Sequence, residues 1–334
     1  MSLLKVSGSP HIHGDQSVEK IMRYVCLALL PAIMVAIYCF GLGAVKVLAI
    51  AIISCVFFEW FIQKVFFKKA STVADCSAVL TGILLALNVP SSLPWYMIVL
   101  GSFVAIAIAK MAFGGLGNNI FNPALVGRVF LLISFPVQMT LWPRPFESAK
   151  MWLFNGMDKT VADAISGPTP LGLLQTKGVD AVHSSNYADY IIGFMGGSIG
   201  EISALAILLG GLFLLWRKII TWHIPVSFIL TSFIFAGILW LVDPTRFADP
   251  FFHILTGGLM LGAVFMATDM VTSPMTPKGM LLFGFGCGLL TILIRCFGAY
   301  PEGVSFAILI MNAFVPLINK GFKPKRFGKE VQRG

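Results

Sequence analysis

The sequence is poor in charged residues. Only 12% of its 334 residues are Asp, Glu, Lys or Arg, whereas 57% are hydrophobic and the mean hydropathy is +0.87. Soluble domains contain about 25% charged residues. This shortage excludes an ordinary soluble domain and predicts an all-α, polytopic membrane protein, because several apolar runs are long enough to cross a bilayer.

The sequence also lacks paired cysteines and a nucleotide-binding motif. Its six cysteines are scattered through apolar segments without a C-x-x-C pair, and the glycine-rich stretch at 114–119 lacks the G-x-G-x-x-G spacing. These absences argue against a disulfide framework, a cysteine-based metal site and a dinucleotide-binding domain. Any redox role of this chain would therefore depend on a different cofactor and on partner proteins.

Apolar runs of near-spanning length are what the sequence has in abundance. A helix needs roughly 20 residues to cross a hydrocarbon core about 30 Å thick. We predict ten spans, at 22–42, 45–63, 73–89, 95–113, 122–140, 196–216, 222–242, 251–268, 279–298 and 302–319. The third and eighth are short and end in Pro-containing breaks, at 88–94 and 272–277, which indicates interrupted spans or half-helices.

A faint internal repeat relates the two sets of five spans. Leu-Thr-Gly opens an apolar run at 80–82 and again at 255–257, and each run is followed by a proline-rich break and an apolar run ending in a cation. With five spans per half, the second copy is inverted in the membrane. Inverted repeats with interrupted helices are typical of transport folds, although Gly and Pro are also generally common in membrane helices.

The distribution of Lys and Arg predicts the orientation. Of 24 such residues, sixteen fall on the side of the N-terminus, seven on the other side and Arg128 within a span. The positive-inside rule then places both termini in the cytoplasm. The predicted divisions are a cytoplasmic segment 1–21, a first transmembrane repeat 22–140, an extracytoplasmic loop 141–195, a second repeat 196–319 and a basic cytoplasmic tail 320–334.

The net charge of +9 is explained by this inner-side excess. Basic residues in short inner loops lie near anionic lipid headgroups. Membrane lipid is therefore a predicted partner, and nucleic acid is not.

Ionisable residues within membrane spans are costly and usually face a protein interior or a water-filled path, and five residues in or beside the predicted spans are candidates for such a role. Asp269, at the second break, and Glu59 are candidates for an ion path. We expect Lys110 and Arg295 to extend their side chains to the interface. Arg128 is expected to pair with an acidic group or to contact a cofactor.

The extracytoplasmic loop contains a candidate attachment site at Ser166-Gly167-Pro168-Thr169. A threonine after small, turn-forming residues is expected to offer an open hydroxyl that a modifying enzyme can join to a phosphate. Pro168 and Pro170 predict a stiff, extended backbone here, because each proline restricts itself and the residue before it. The alternative interpretation is an ordinary polar turn.

Four motifs carry a resemblance to a known family: S-P-H-I-H at 9–13, N-P-A-L-V-G-R at 122–128, T-D-M-V-T-S-P-M-T-P-K-G at 268–279 and Y-P-E-G-V at 300–304. Together they resemble the family that contains the D subunit of the Rnf complex and the B subunit of the sodium-pumping NADH:quinone reductase. The resemblance implies a bacterial inner-membrane protein that relays electrons between ferredoxin and NAD, coupled to Na⁺ or H⁺ movement.

The resemblance also implies cofactors and partners. Family members carry FMN on the threonine of a D-x-x-S-G-A-T motif, which Asp163, Ser166, Gly167 and Thr169 match, with Pro168 in place of alanine. A noncovalent riboflavin, a flavin transferase and the A, B, C, E and G subunits of the Rnf complex are implied as well. Thr169 would be an anchor, and no residue is predicted to be catalytic.

Two other functions fit parts of the sequence. The B subunit of a quinone reductase shares the family, but those relatives look longer at the N-terminus. A non-redox channel of the urea-transporter type would use the inverted repeat without a flavin.

Overall fold

The structure is a computed structural model that describes residues 17–68, 71–143, 145, 167–183, 187–192, 196–298 and 300–323. These residues form helices joined by turns and irregular segments. In chain order the helices are α1 (Val18–Phe40), α2 (Leu42–Phe61), α3 (Ser77–Leu87), α4 (Trp95–Phe103), α5 (Pro123–Ser134), α6 (Pro136–Met139), α7 (Pro170–Lys177), α8 (Asp180–His183), α9 (Tyr187–Ile192), α10 (Ala204–Trp216), α11 (His223–Val242), α12 (Pro250–Leu255), α13 (Leu259–Leu261), α14 (Pro277–Phe297) and α15 (Val304–Gly321).

Three of these helices continue directly into wider π-helical turns. They are α2, through Ile62–Phe66, α4, through Val104–Met111, and α13, through Gly262–Met266. Such turns are rare and are frequently found at functional sites.

Length and composition identify the membrane-crossing helices. Five helical segments are long and apolar enough to span a bilayer: Val18–Phe40, Leu42–Phe66, His223–Val242, Pro277–Phe297 and Val304–Gly321. Shorter apolar helices occupy Ser77–Leu87, Trp95–Met111, Pro123–Ser134 and Ala204–Trp216. The predicted all-helical, multi-pass membrane protein is confirmed.

Both predicted interruptions are present. The first separates α3 from α4, and α3 has only 11 residues, too few for the roughly 20 that a span requires. The second lies between Met266 and Pro277. The predicted eighth span is broken once more between α12 and α13, where Gly257 has a φ of +69° that favours glycine.

Two predicted spans are shorter than expected for local reasons. The fifth ends at Ser134, because Phe135 precedes Pro136 and leaves the helical region with φ −134° and ψ 59°. The sixth becomes helical only at Ala204, after a glycine-rich irregular segment at 196–200.

Close helix pairing depends on small residues. On α14, a Cβ added at Gly284 would lie 2.9 Å from the carbonyl oxygen of Ile224, and one added at Gly288 would lie 2.7 Å from that of Phe228. Two glycines four residues apart thus let α14 approach the backbone of α11, as small-residue motifs do in membrane bundles.

We expect Gly288→Ala to lower the thermal unfolding midpoint of the protein in detergent. The added methyl group meets backbone that cannot move aside, and overpacking of this kind costs about 1–3 kcal/mol. Gly321→Ala is the matched control, because nothing lies within 4 Å of the added Cβ. Equal midpoints for the two variants would contradict this account of the α11–α14 contact.

Candidate functional site

A cavity beside the second break, between the two halves of the chain, is lined by seven polar residues. We call it the Asp269 cavity, and its volume is about 80 Å³. Its polar lining consists of Ser77, Thr81, Lys110, Asn119, Asn122, Thr268 and Asp269. Residues 77–122 belong to the first half and residues 268–269 to the second, so the cavity exists only where the halves meet.

A buried ion pair closes one wall of this cavity. Lys110 Nζ lies 2.6 Å from Glu59 Oε2 and donates to Ser77 Oγ at 2.8 Å. Lys110 is 1% exposed and Glu59 is 0% exposed. The expectation that Lys110 extends to the interface is therefore wrong, because a carboxylate inside the protein offers the ammonium a better partner than a distant headgroup region.

Asp269 lies in the second break, where the chain is not helical. Its carboxylate accepts from Thr272 Oγ1 at 3.0 Å and from the Val271 backbone N–H at 3.5 Å. Lys110 and Asp269 line the same cavity, and Lys110 binds Glu59. Asp269 thus lines the same cavity as the cation of the Glu59 ion pair, while the role of the two carboxylates in an ion path stays a prediction.

Arg128 is buried on α5 and holds the two halves together. It donates to Glu302 Oε2 and to Ser305 Oγ, and its NH2 lies 3.5 Å from Glu201 Oε1. The predicted acidic pairing of Arg128 is confirmed. Glu201 and Glu302 were not predicted as its partners, although Glu302 lies in the Y-P-E-G-V motif at 300–304.

Several polar atoms around this cluster have no hydrogen-bond partner among the described residues. They are Arg128 Nε, Glu201 Oε1, His253 Nδ1 and Arg295 Nε. Buried polar groups are ordinarily satisfied by protein or by ordered water. The region between the halves is therefore polar enough to hold water or a polar ligand.

A second cavity lies beside Arg295, which is also buried. The Arg295 cavity has a volume of about 170 Å³ and is lined by Leu171, Leu174, Gln175, Arg246, Phe247, Ala248, His253, Arg295, Cys296 and Pro301. Arg295 donates to the carbonyl oxygens of His253, at 2.6 Å, and Thr256, at 3.1 Å. The expected extension of Arg295 to the interface is wrong, because the kink at Gly257 presents these carbonyls to the guanidinium.

Thr169 is the N-cap residue of α7. Its Oγ1 accepts from the Gly172 N–H at 3.0 Å, and its φ of −65° and ψ of 158° confirm the extended backbone predicted from Pro170. The expectation of an open hydroxyl is wrong, since Thr169 is only 6% exposed and its oxygen is engaged in the cap.

The structure describes only part of the predicted attachment motif before Thr169. Gly167 donates its N–H to the carbonyl oxygen of Trp142 at 3.0 Å. Asp163 and Ser166 lie outside the described residues. The helix that Thr169 begins reaches the Arg295 cavity, because Leu171, Leu174 and Gln175 all line it.

Comparison with known proteins matches nearly the whole chain. The model of the NQR2, RnfD, RnfE family matches residues 5–328. The D subunit of a proton-translocating ferredoxin:NAD(+) oxidoreductase complex from Clostridium ljungdahlii is 45% identical over 98% of this chain and 97% of its own. The D subunit of the Na(+)-translocating complex from Acetobacterium woodii is 46% identical over 97% of this chain and 95% of its own.

A more distant relative is similar over the same extent. The D subunit of an ion-translocating oxidoreductase complex from Stutzerimonas stutzeri is 42% identical over 95% of this chain and 94% of its own. The similarity therefore extends over both halves and both cavities.

We expect Lys110→Met to destabilise the protein strongly, by about 3–5 kcal/mol, because it leaves the Glu59 carboxylate buried without its cation. The double variant Glu59→Gln/Lys110→Met should recover most of this loss. Thermal unfolding in detergent measures both, with Lys278→Met, at an exposed lysine, as the control. A double variant no more stable than Lys110→Met would contradict the pairing.

Proposed function

Because this chain belongs to the NQR2, RnfD, RnfE family, we propose that it is the D subunit of an ion-translocating ferredoxin:NAD oxidoreductase complex and that it carries FMN on Thr169. The near-full-length identity to two proteins with that complex in their names carries the first part of the proposal. The partners are then the A, B, C, E and G subunits of the Rnf complex, in a bacterial cytoplasmic membrane. The same names favour this function over that of a quinone-reductase B subunit or a non-redox channel.

The surroundings of Thr169 suit a phosphoester. The helix N-terminus presents backbone N–H groups and a partial positive charge, which favour phosphate. The ester oxygen still has a lone pair to accept from the Gly172 N–H. Since the unmodified hydroxyl is buried in its cap, we expect the flavin transferase to act before this segment docks.

The Arg295 cavity suits the ring system of a flavin tethered nearby. Bound flavin would supply reversible electron acceptance, and the protein would supply position and charge. Arg295 and Arg246 both line the cavity and favour negative charge within it. Gln175, on the helix that Thr169 caps, adds an amide that can donate or accept.

We propose that the polar edge of a noncovalent riboflavin binds at the Asp269 cavity, whose volume of about 80 Å³ is too small for the whole molecule. Asn119 offers an amide group to the carbonyl and nitrogen edge of such a ring, and Lys110, which donates to Glu59 and Ser77, has a third N–H for it. Asn119 Oδ1 is buried and has no partner among the described residues. The apolar part of the wall, including Leu84 and Phe265, would contact the ring face.

Two features support an inverted repeat of five spans in each half. Within each half an interruption separates the third helical segment from the fourth, before α4 and before α14. The fourth segment of each half also ends in a buried cation that donates a hydrogen bond to the third segment. Lys110 donates to Ser77 in the first half, and Arg295 donates to the Thr256 carbonyl oxygen in the second. The two cavities beside these cations would then be equivalent sites on opposite faces of the membrane.

With both termini cytoplasmic, as the positive-inside rule favours, the Asp269 cavity would face the cytoplasm and the Arg295 cavity the outside. Partner subunits on the two faces of the membrane would deliver electrons to this chain and accept them from it. The chain itself would supply only the two flavin sites between those partners. Asp269 and Glu59 would lie on the ion path. The two relatives nearly equal in identity have different ions in their names, the proton in one and Na⁺ in the other.

We expect Thr169→Asn to abolish covalent flavin while preserving the helix cap. Asparagine caps helices as well as threonine does, but it has no hydroxyl to esterify. Thr169→Ser keeps both functions and is the matched control. The readout is flavin fluorescence of the band after denaturing electrophoresis, together with the mass of the peptide that spans 160–177.

Fluorescence that persists in Thr169→Asn would place the anchor elsewhere. Loss of fluorescence in both variants would mean that the transferase requires the threonine methyl group rather than the hydroxyl alone.

We expect Asp269→Asn to raise the ion concentration needed for half-maximal electron transfer by roughly 10- to 100-fold, because a hydrogen-bonded charge contributes roughly 1.5–3 kcal/mol. The assay varies Na⁺ and pH separately in membrane vesicles. Asp180→Asn, the same change at an exposed residue, is the control. An unchanged ion dependence in Asp269→Asn would remove Asp269 from the path.

A further inference from the structure

A basic groove lies where the first turns of α1 meet the end of α10. We call it the α1–α10 groove, and its volume is about 490 Å³. It is lined by Lys20, Ile21, Tyr24, Trp216, Arg217, Lys218 and Ile219. The lining contains three cations and no acidic residue, so its net charge is +3.

The position of the groove is that of a membrane–water interface. Trp216 ends the apolar helix α10 and is 76% exposed, and Trp222 follows it at 54% exposed. Tryptophan and tyrosine concentrate at the level of lipid headgroups. The three cations therefore lie at the depth of lipid phosphates, next to the isoleucines and tryptophan of an apolar wall.

Arg217 is held in place before any ligand binds. Its Cζ lies 4.4 Å from the centroid of the Tyr24 ring, and its NH2 donates to the Tyr24 hydroxyl. This contact joins α1 to α10 and fixes the plane of the guanidinium. A guanidinium presents paired donors that match phosphate oxygens, and a preorganised one loses less side-chain entropy on binding.

Lys218 occupies a backbone position that favours glycine. Its φ is +56°, and its N–H donates to Leu215 while the Ile219 N–H donates to Leu214, which closes the C-terminus of α10. Glycine is the usual residue at this point of such a cap, because a side chain in the left-handed region is strained. A glycine would end the helix here without this strain. The presence of lysine therefore points to a role for its side chain.

We propose that the α1–α10 groove is a binding site for the phosphate headgroup of an anionic phospholipid. Arg217 and Lys218 bind the phosphate with Lys20, and the glycerol and upper acyl chains pack on Trp216 and Ile219. Each cation near the surface contributes about 1 kcal/mol to attraction of anionic lipid. A zwitterionic headgroup binds less tightly, since its own ammonium meets three cations.

Native mass spectrometry of the full-length protein in mild detergent tests the site. Phosphatidylglycerol and phosphatidylcholine of the same acyl chains are titrated in turn. We expect tight retention of phosphatidylglycerol, with binding about fivefold weaker in Arg217→Gln or Lys218→Gln. Lys278→Gln removes an exposed cation outside the groove and should leave retention unchanged.

Lys218→Gly separates binding from folding. Relief of the backbone strain should keep or raise the unfolding midpoint without lipid, while retention of phosphatidylglycerol falls. Equal retention in Lys218→Gly and the unaltered protein would overturn the proposal.

Three other outcomes would also overturn it. Equal effects of Lys278→Gln and Arg217→Gln would mean a diffuse surface attraction. Displacement of the lipid by millimolar inorganic phosphate would mean a site for free phosphate. Loss of a co-purifying partner protein in Arg217→Gln, with lipid retained, would mean a protein contact.

Discussion

The guanidinium of Arg128 makes the two halves of the chain depend on each other. It sits inside the helix bundle, where a lone charge is very unfavourable, and its compensating carboxylates, Glu201 and Glu302, both come from the second half. Neither half can therefore bury its own share of these charges alone. The irregular backbone before α10 and the segment before α15 are positioned by the same requirement, since each must deliver a carboxylate to one point.

The interruptions of the helices solve a related problem. A break in a membrane helix frees backbone carbonyls that have no water to bind. At Gly257 these carbonyls are taken up by Arg295, and at the end of α3 the Leu87 carbonyl accepts from Gly200 at 2.7 Å. The carbonyl groups freed by the breaks thus form hydrogen bonds between segments that are distant in sequence. A cavity remains beside the contact between Arg295 and these carbonyls.

Much of the architecture could be predicted from composition and the proline breaks. Apolar length identified the helices, and Pro170 correctly implied an extended Thr169. Long-range pairing was not accessible in the same way. Whether Lys110 faces lipid headgroups or Glu59 depends on how α4 rotates against α2, and no local pattern reports that angle.

The attachment motif shows a different limit of the sequence. Small residues before Thr169 indicate an open turn only if nothing packs on it. The proline that follows also begins a helix, and the first turn of that helix recruits the threonine oxygen as its cap. The same residue can satisfy a capping pattern and a modification pattern, and the structure shows which one the unmodified chain adopts.

The π-helical end of α4 sets the direction in which Lys110 faces. Ala112 donates to Ala107, and Gly115 to Lys110, so each bond spans one residue more than in an α-helix. If the same residues adopted ordinary α-helical spacing, each would turn through about 100°, and Lys110 would be rotated away from Glu59. The wider turns therefore set the helix phase that brings Lys110 to Glu59.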